Sequence, residues 1–495
     1  MTAPKVVIVG AGIGGLAAAI ELRRHGFSDI TILERASQLG GTWQYNTYPG
    51  CACDVPSHLY SYSFAQKPDW SRLCSPSGEI LGYLRDVAAE HDVARLIEFG
   101  TKVQTCAFSD ASRRWTVTAA DGRAWEADAL LIATGQLHQP AIPQFEGEFA
   151  GHSFHSAAWD HDYDLRGKRV AVIGTGASAV QFVPEVAEQA GQLYVFQRTG
   201  NWFLPRRNRP YPGWFRALLE RVPAIQAVRR RIWTTYIEFL TVMIRHPRSI
   251  GRIGKLQSSL FMRSQLRDPK VRAKAWPDYT FGCKRVLFSS RFLPSLERPN
   301  VELVTDPVAR LSAHGIETTD GRLREIDCII YGTGFRTTQF MFPMEILGAQ
   351  GRSLREVWSD GAHAHLGVAV AGFPSLFLVY GPNTNTSGGS IIAFEEAQTG
   401  YIRQALEHMR RQGAAAIEVR LEVAAASDRA LQARFAGTAW MECDSWYRNA
   451  SGRIVTNWPG YMREYVRDLR RFDPSEYELL AAPEARAQAP TLAGA

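Results

Sequence analysis

A chain of 495 residues with 45% hydrophobic and 21% charged side chains has the composition of a globular protein long enough for two or three domains. The formal net charge of +7 is modest for this length, and no later apolar run, Ile232 to Ile244 included, reaches the roughly 18–20 residues of a membrane-spanning helix. Seven scattered cysteines, with only Cys51 and Cys53 close together, exclude a C-x-x-C redox pair, a zinc cluster and a disulfide framework, and fit a reducing, cytoplasmic setting.

In chain order, Lys5 to Val9 (KVVIV) reads as a buried parallel strand. It leads into Gly10-Ala11-Gly12-Ile13-Gly14-Gly15, an Ala-rich helical pattern, and a second apolar strand over Ile30 to Leu33. Lys5 and the apolar stretch to Ile20 could be scanned as a signal peptide, but the glycines interrupt it. A strand–turn–helix accounts for each residue, so the segment reads as mature sequence. Gly10 permits the tight turn, Gly12 lets a pyrophosphate approach the backbone, and Gly15 allows close helix–strand packing. Glu34 ends the next strand 19 residues after Gly15. A carboxylate there accepts hydrogen bonds from an unphosphorylated ribose and repels a 2′-phosphate, so the unit reads as a site for FAD or NAD.

A short strand ending in a glycine turn follows over Ala129 to Gly135, and Pro140 and Pro143 mark a crossing into a second domain. Lys168 to Ile173 then repeats the first pattern, with the turn Gly174-Thr175-Gly176-Ala177-Ser178-Ala179 and a strand over Leu193 to Phe196. Arg198, followed by Thr199, falls 19 positions after Ala179, where the first unit has its glutamate. A guanidinium suits a 2′-phosphate through a bidentate, charge-assisted pair, so this unit prefers NADPH. Trp214 to Lys274 has helical periodicity with arginine-rich polar faces, read as a helical insertion whose basic face is solvated in preference to binding nucleic acid or a membrane surface. Cys328 to Gly334 mirrors Ala129 to Gly135, and residues 481–495 read as a disordered Ala/Pro tail. The expected fold is α/β, with two Rossmann-like dinucleotide-binding domains. Residues 1–143 and 336–480 form the FAD domain, 144–205 and 276–335 the NADP domain, and 206–275 a helical insertion in the latter.

Between the two units, Phe149, Gly151, His155, Trp159 and Asp160 spell F-x-G-x-x-x-H-x-x-x-W-D. This resembles the fingerprint of type I Baeyer–Villiger monooxygenases, which are class B flavoprotein monooxygenases. N- and S-oxygenating flavin monooxygenases, the alternative reading, resemble it only as far as the histidine. Gly40 to Asp54 is similar to a second family motif, and Gly282-Cys283-Lys284-Arg285 to a third; the likeness runs from residue 5 to about residue 470. Tyr331-Gly332-Thr333-Gly334 departs from the family's usual A-T-G, and the residues after Trp446 differ from its best-known form.

The resemblance implies an enzyme that uses FAD, NADPH and O2 to convert a ketone to an ester or lactone through a C4a-peroxyflavin and a tetrahedral adduct. It implies that Arg285 stands beside the flavin as a fixed cation, with Asp54 pairing with it, and that Lys284 joins Arg198 on the 2′-phosphate. Gly41, Thr42, Trp43, Tyr48, Tyr60 and Gly135 fall to the flavin site, with Trp43 and Tyr48 packing along the flavin. Trp446 belongs to a loop that folds over NADP. His155, Trp159 and Asp160 are assigned to a hinge between domains, and no metal is expected because no acid completes a set with His152, His155 and His161. The expected partners are a small ketone and O2, with no nucleic acid and no stable membrane insertion.

Overall fold

The computed structural model describes residues 3–482 apart from Arg207 and Ser387. The tail expected to be disordered lies, from residue 483 on, outside the described residues. In chain order, β1 (Val6–Val9), α1 (Ile13–Arg24) and β2 (Ile30–Leu33) form the first βαβ unit, joined by β3 (Ile97–Glu98) and β4 (Ala129–Ile132). After the crossing come β5 (His152–His155), β6 (Arg169–Ile173), α2 (Ala177–Ala187) and β7 (Gln192–Phe196). The helices α3 (Gly213–Arg221), α4 (Pro223–Arg245) and α5 (Gly251–Gln265) make the insertion, with one more helix over Pro269–Ala275. The chain returns through β8 (Val301–Val304) and β9 (Cys328–Tyr331), then β10 (Leu376–Leu378) and α6 (Ile391–Gln412).

Two five-stranded parallel sheets result, in the orders β10-β4-β1-β2-β3 and β8-β7-β6-β9-β5. Each has its Gly-turn strand in the middle, with the strand returning from Ala129 or Cys328 beside it, as the repeat leads one to expect. Both faces of these strands are buried, which is why they read as unbroken apolar runs. Val6 and Ile8 pack into one cluster with α1, while Val7 and Val9 face Phe108 and Trp115. Val170 and Val172 likewise face opposite to Ala171 and Ile173.

The cover over Val7 and Val9 is an antiparallel meander of Val103–Ser109, Arg114–Ala119 and Ala124–Ala127. Sequence reading assigned no element to it. The absence of a disulfide framework is also corrected at one pair: Cys283 and Cys443 are bonded, though 160 residues apart. Only the fold brings them together, so their spacing carried no sign of it.

Candidate active site

The first glycine turn forms one wall of a cleft of about 390 Å³ that extends to the start of α6. Gly10 has φ +108°, and a Cβ there would stand 2.5 Å from the Ala133 carbonyl oxygen. A Cβ at Gly15 would stand 1.9 Å from the Gly10 carbonyl oxygen. Glycine is what lets strand, turn and helix close on one another here. Gly12 opens α1 without a side-chain cap, so no side chain competes for the first-turn N–H groups. Glu34 is buried in the cleft wall; its Oε2 accepts from the Ala11 N–H at 2.8 Å and its Oε1 from the Ala36 N–H at 2.8 Å. The carboxylate is thereby oriented, with lone pairs left for a ribose.

Gly41, Thr42, Trp43, Tyr60 and Gly135 line the same cleft. Trp43 Nε1 donates to the Tyr60 hydroxyl at 3.2 Å, fixing both rings. Tyr48 is not among the residues lining that cleft. Its ring packs 5.8 Å from that of Phe182, and its hydroxyl donates to Gln181 Oε1 at 3.2 Å. The segment after it lies against α2, where the Ala52 N–H donates to the same Gln181 oxygen at 3.1 Å. Tyr48 therefore cements the two dinucleotide units.

In the second unit Gly174 has φ +106°, and a Cβ there would stand 2.4 Å from the Gly332 carbonyl oxygen. Gly176 opens α2 uncapped, with Ser178 in its first turn, and the Thr175 carbonyl accepts from Asn201 Nδ2 at 2.8 Å. Arg198 is exposed beyond β7, with Thr199 following it. Burial, then the Arg198 charge, pushes the Lys284 ammonium below its ordinary value, so these two cations from distant segments face one another. Asp278 and Asp444 offset the repulsion only in part. A dianionic phosphate between the cations would relieve it.

Arg285 Nη2 and Asp54 Oδ2 stand 2.5 Å apart. Burial raises the Asp54 pKa, but the guanidiniums of Arg285 and then Arg206 more than offset this and hold it below the usual carboxylate range. The Asp54 charge raises the Arg285 pKa further, keeping the cation permanent. Tyr447 and Tyr380 also face Arg285, and Tyr380 lines the cleft. Trp446 is 41% exposed, lies against Tyr447 with ring centroids 4.1 Å apart, and takes the Thr337 hydroxyl on its carbonyl at 3.3 Å. The Cys283–Cys443 bond ties this loop to the segment of Lys284 and Arg285.

The F-x-G-x-x-x-H-x-x-x-W-D motif runs along β5, the edge strand beside β9. A Cβ on Gly151 would stand 2.3 Å from the Phe149 ring, so the two motif positions constrain one another. His155 is buried, and burial lowers its pKa; its Nδ1 accepts from the Ala157 N–H at 3.1 Å. Its ring meets Phe335, and both Ala157 and Phe335 line the cleft. Trp159 packs on Phe154 and Phe182, and Asp160 Oδ2 stands 2.9 Å from His152 Nε2. The motif thus connects the second sheet's edge to the cleft. Among the described residues no group of three His, Cys, Asp or Glu could hold a metal ion.

Two residues of this region went unread in the sequence. Arg206 donates to the Cys53 carbonyl at 2.6 Å and adds a second positive charge near Asp54. Glu395, in the second turn of α6, is 6% exposed, lines the cleft, and has an Oε2 without a partner among the described residues. Burial, with Glu396 beside it, pushes its pKa up to about 8; Tyr60, Tyr62 and Tyr380 also face it. A carboxyl that holds its proton longer folded than unfolded makes stability fall as pH rises between its two pKa values, by about 1.4 kcal/mol per pH unit. Flavin-stripped protein is therefore expected to lose thermal stability from pH 5 to pH 8, with Glu395→Gln flattening that slope in melts across the range. An unchanged slope in the variant would mean that Glu395 is ionised throughout.

A relative from Streptomyces coelicolor, a Baeyer–Villiger monooxygenase, is 40% identical over 482 residues, covering 96% of this chain and 92% of its own. The chain belongs to the Baeyer–Villiger monooxygenase family. A Pseudomonas aeruginosa enzyme of the same name is 38% identical over 98% of the chain and 94% of its own length. Residues 3–240 match the flavin-binding monooxygenase-like family model. Among solved structures, an oxidised steroid monooxygenase bound to NADP superimposes with TM-score 0.86 at 31% identity, covering 97% of this chain and all of the other. The complex of OTEMO with FAD and NADP also gives 0.86, at 26% identity and the same coverage. This chain is thus a flavin-dependent monooxygenase of the Baeyer–Villiger type, with FAD and NADPH as cofactors and O2 as co-substrate. Its two dinucleotide folds are the FAD and NADP domains of the family. Among the described residues no helix is long and apolar enough to cross a membrane.

Proposed function

We propose that Arg285, oriented by Asp54, is the catalytic cation of this monooxygenase, acting on a small ketone at the mouth of the flavin cleft. The supporting observation is the Arg285–Asp54 pair at 2.5 Å, which ties Gly282–Arg285 to the segment entering from Gly41. FAD, reduced by NADPH, supplies the oxygen-transfer chemistry when bound. Gly10, Gly12 and the first turn of α1 hold its pyrophosphate, and Glu34 its ribose. Asp54 holds the guanidinium in one orientation, so its N–H groups are fixed before negative charge develops on the ketone oxygen. Trp43 and Tyr60 limit water access along the same wall. Residues 1–143 with 336–480 make the FAD domain, and 144–205 with 276–335 the NADP domain. His155, Trp159 and Asp160 act at the hinge between them. The test is oxygen-dependent NADPH consumption across a ketone panel with products identified. Esters or lactones support the reading, and thioether S-oxides as the sole products overturn it.

Arg198 and Lys284 would grip the 2′-phosphate of NADPH, with Trp446 closing over the coenzyme. Arg198→Ala is expected to raise the KM for NADPH and narrow the preference over NADH. A lost charge-assisted pair costs about 1.5–3 kcal/mol, or roughly 10- to 150-fold. Initial rates with both coenzymes measure this, and an unchanged preference would put the phosphate elsewhere.

A further inference from the structure

The helical insertion carries most of the chain's charge asymmetry. Residues 206–275 hold 17 Lys and Arg against three Asp and Glu, a net +14, whereas the other 425 residues are net −7. Of the three acids, Glu238 is buried and paired with Arg463, outside the insertion. Arg231, Arg252 and Arg267 are exposed and make no ion pair among the described residues.

A solvated basic face accounts for the arginines but not for what lies between them. On α4, Val228, Ile232, Tyr236 and Phe239 are exposed, and their spacing of four, four and three residues puts them on one side of the helix. On α5, which packs against α4, Ile253, Leu256 and Leu260 form a second such row. Ile232 and Leu256 are 59% and 60% exposed, and Trp214 at the start of α3 is 70% exposed. Single exposed apolar residues need no explanation, but periodic rows on adjoining helices do.

We infer that the α3–α5 face is a docking surface for an anionic lipid bilayer. Its charge selects the partner. Two copies of a segment with a net charge of +14 repel one another, and a nucleic-acid backbone gains nothing from bare isoleucine and leucine side chains. An interfacial helix needs both elements, a basic rim for lipid headgroups and apolar side chains that enter the acyl boundary. The opposite side of α4 faces the interior. There Thr241 lies against Gly388, and Glu238 holds Arg463. One helix thus has a bilayer-facing row and a row packed on the segments that follow β10. An apolar ketone dissolved in lipid would be delivered close to the protein's own pocket. Such attachment is peripheral and reversible.

The test uses FAD-loaded full-length protein and sucrose-filled vesicles of phosphatidylcholine, alone or with about one-third phosphatidylglycerol. Co-sedimentation about tenfold stronger with the anionic vesicles, and weakened in about 0.5 M NaCl, is the expected result. Ile232→Glu/Leu256→Glu should abolish it, as should Arg231→Glu/Arg252→Glu. Both pairs are exposed, so flavin content and NADPH oxidation in vesicle-free buffer should stay at wild-type level. Equal sedimentation with both vesicle types, or with neither, overturns the inference. So does a dimer dissociated by Ile232→Glu, or binding to duplex DNA in preference to the anionic vesicles.

Discussion

Arg285→Ala is expected to abolish ester formation while leaving flavin binding and its reduction by NADPH intact. On the proposed reading, flavin binding rests on the turn at Gly10 to Gly15 and on Glu34, and Arg285 is not among the residues lining that cleft. The coenzyme phosphate falls, on the same reading, to Arg198 and Lys284. What the variant loses is a permanent cation facing Tyr380 and Tyr447. Removing one preorganised donor to a developing oxyanion costs about 100- to 1000-fold, and removing the whole guanidinium costs at least that. Asp54 should remain tolerable, because Arg206 still faces it. NADPH oxidation should continue with release of hydrogen peroxide. Arg285→Lys should recover only a fraction of activity, since an ammonium cannot hold Asp54 and the ketone oxygen with one planar fork. Stopped-flow reduction beside product analysis separates the steps. Near wild-type ester formation by Arg285→Ala would remove this residue from the chemistry.

The strands and turns were legible because steric demands leave few alternatives. A β-branched run ending in glycine, then an Ala-rich helix, can bury both sheet faces only as a parallel βαβ unit, and Val6–Val9 and Arg169–Ile173 do so. The contrast of Glu34 with Arg198 was legible because each follows its turn at the same distance. The packing of Tyr48 was not legible, because an aromatic near a flavin motif looks the same whether it faces the cleft or α2. Only the approach of Gly50 to the Gln181 backbone decides that. Glu395 was invisible for a related reason. On an amphipathic helix a carboxylate reads as solvated, and burial under the turn at Gly14 comes from the α1–α6 packing. Pairs far apart in sequence, Cys283–Cys443 and Arg198–Lys284, exist only once the insertion and the C-terminal loop are folded around them.

Three glycine-to-alanine changes should separate folding from cofactor binding, and Gly15→Ala has the largest expected effect. Its new methyl would stand 1.9 Å from the Gly10 carbonyl oxygen, which is backbone and cannot swing aside. α1 must lift off β1, breaking the packing of Leu16 and Ile20 with Val6 and Ile8. Overpacking of this kind costs about 1–3 kcal/mol, and the flavin's own stabilisation of the fold is lost with it. The variant should purify colourless, with a lowered Tm that added FAD does not restore. Gly12→Ala differs in physical cause. Its methyl would stand 3.6 Å from the Gly41 Cα, an ordinary contact, so the apoprotein should fold at nearly wild-type stability. It would still intrude where a pyrophosphate must approach, and FAD should be lost without the Tm penalty in flavin-stripped protein. Gly176→Ala meets nothing within 4 Å and opens the other helix, so it should stay yellow and show only a raised KM for NADPH. Visible absorbance, melts with and without added FAD, and NADPH kinetics resolve all three. Should Gly12→Ala keep full flavin content, the pyrophosphate does not lie against this turn, and the assignment of the first cleft to FAD through Gly10 to Gly15 fails.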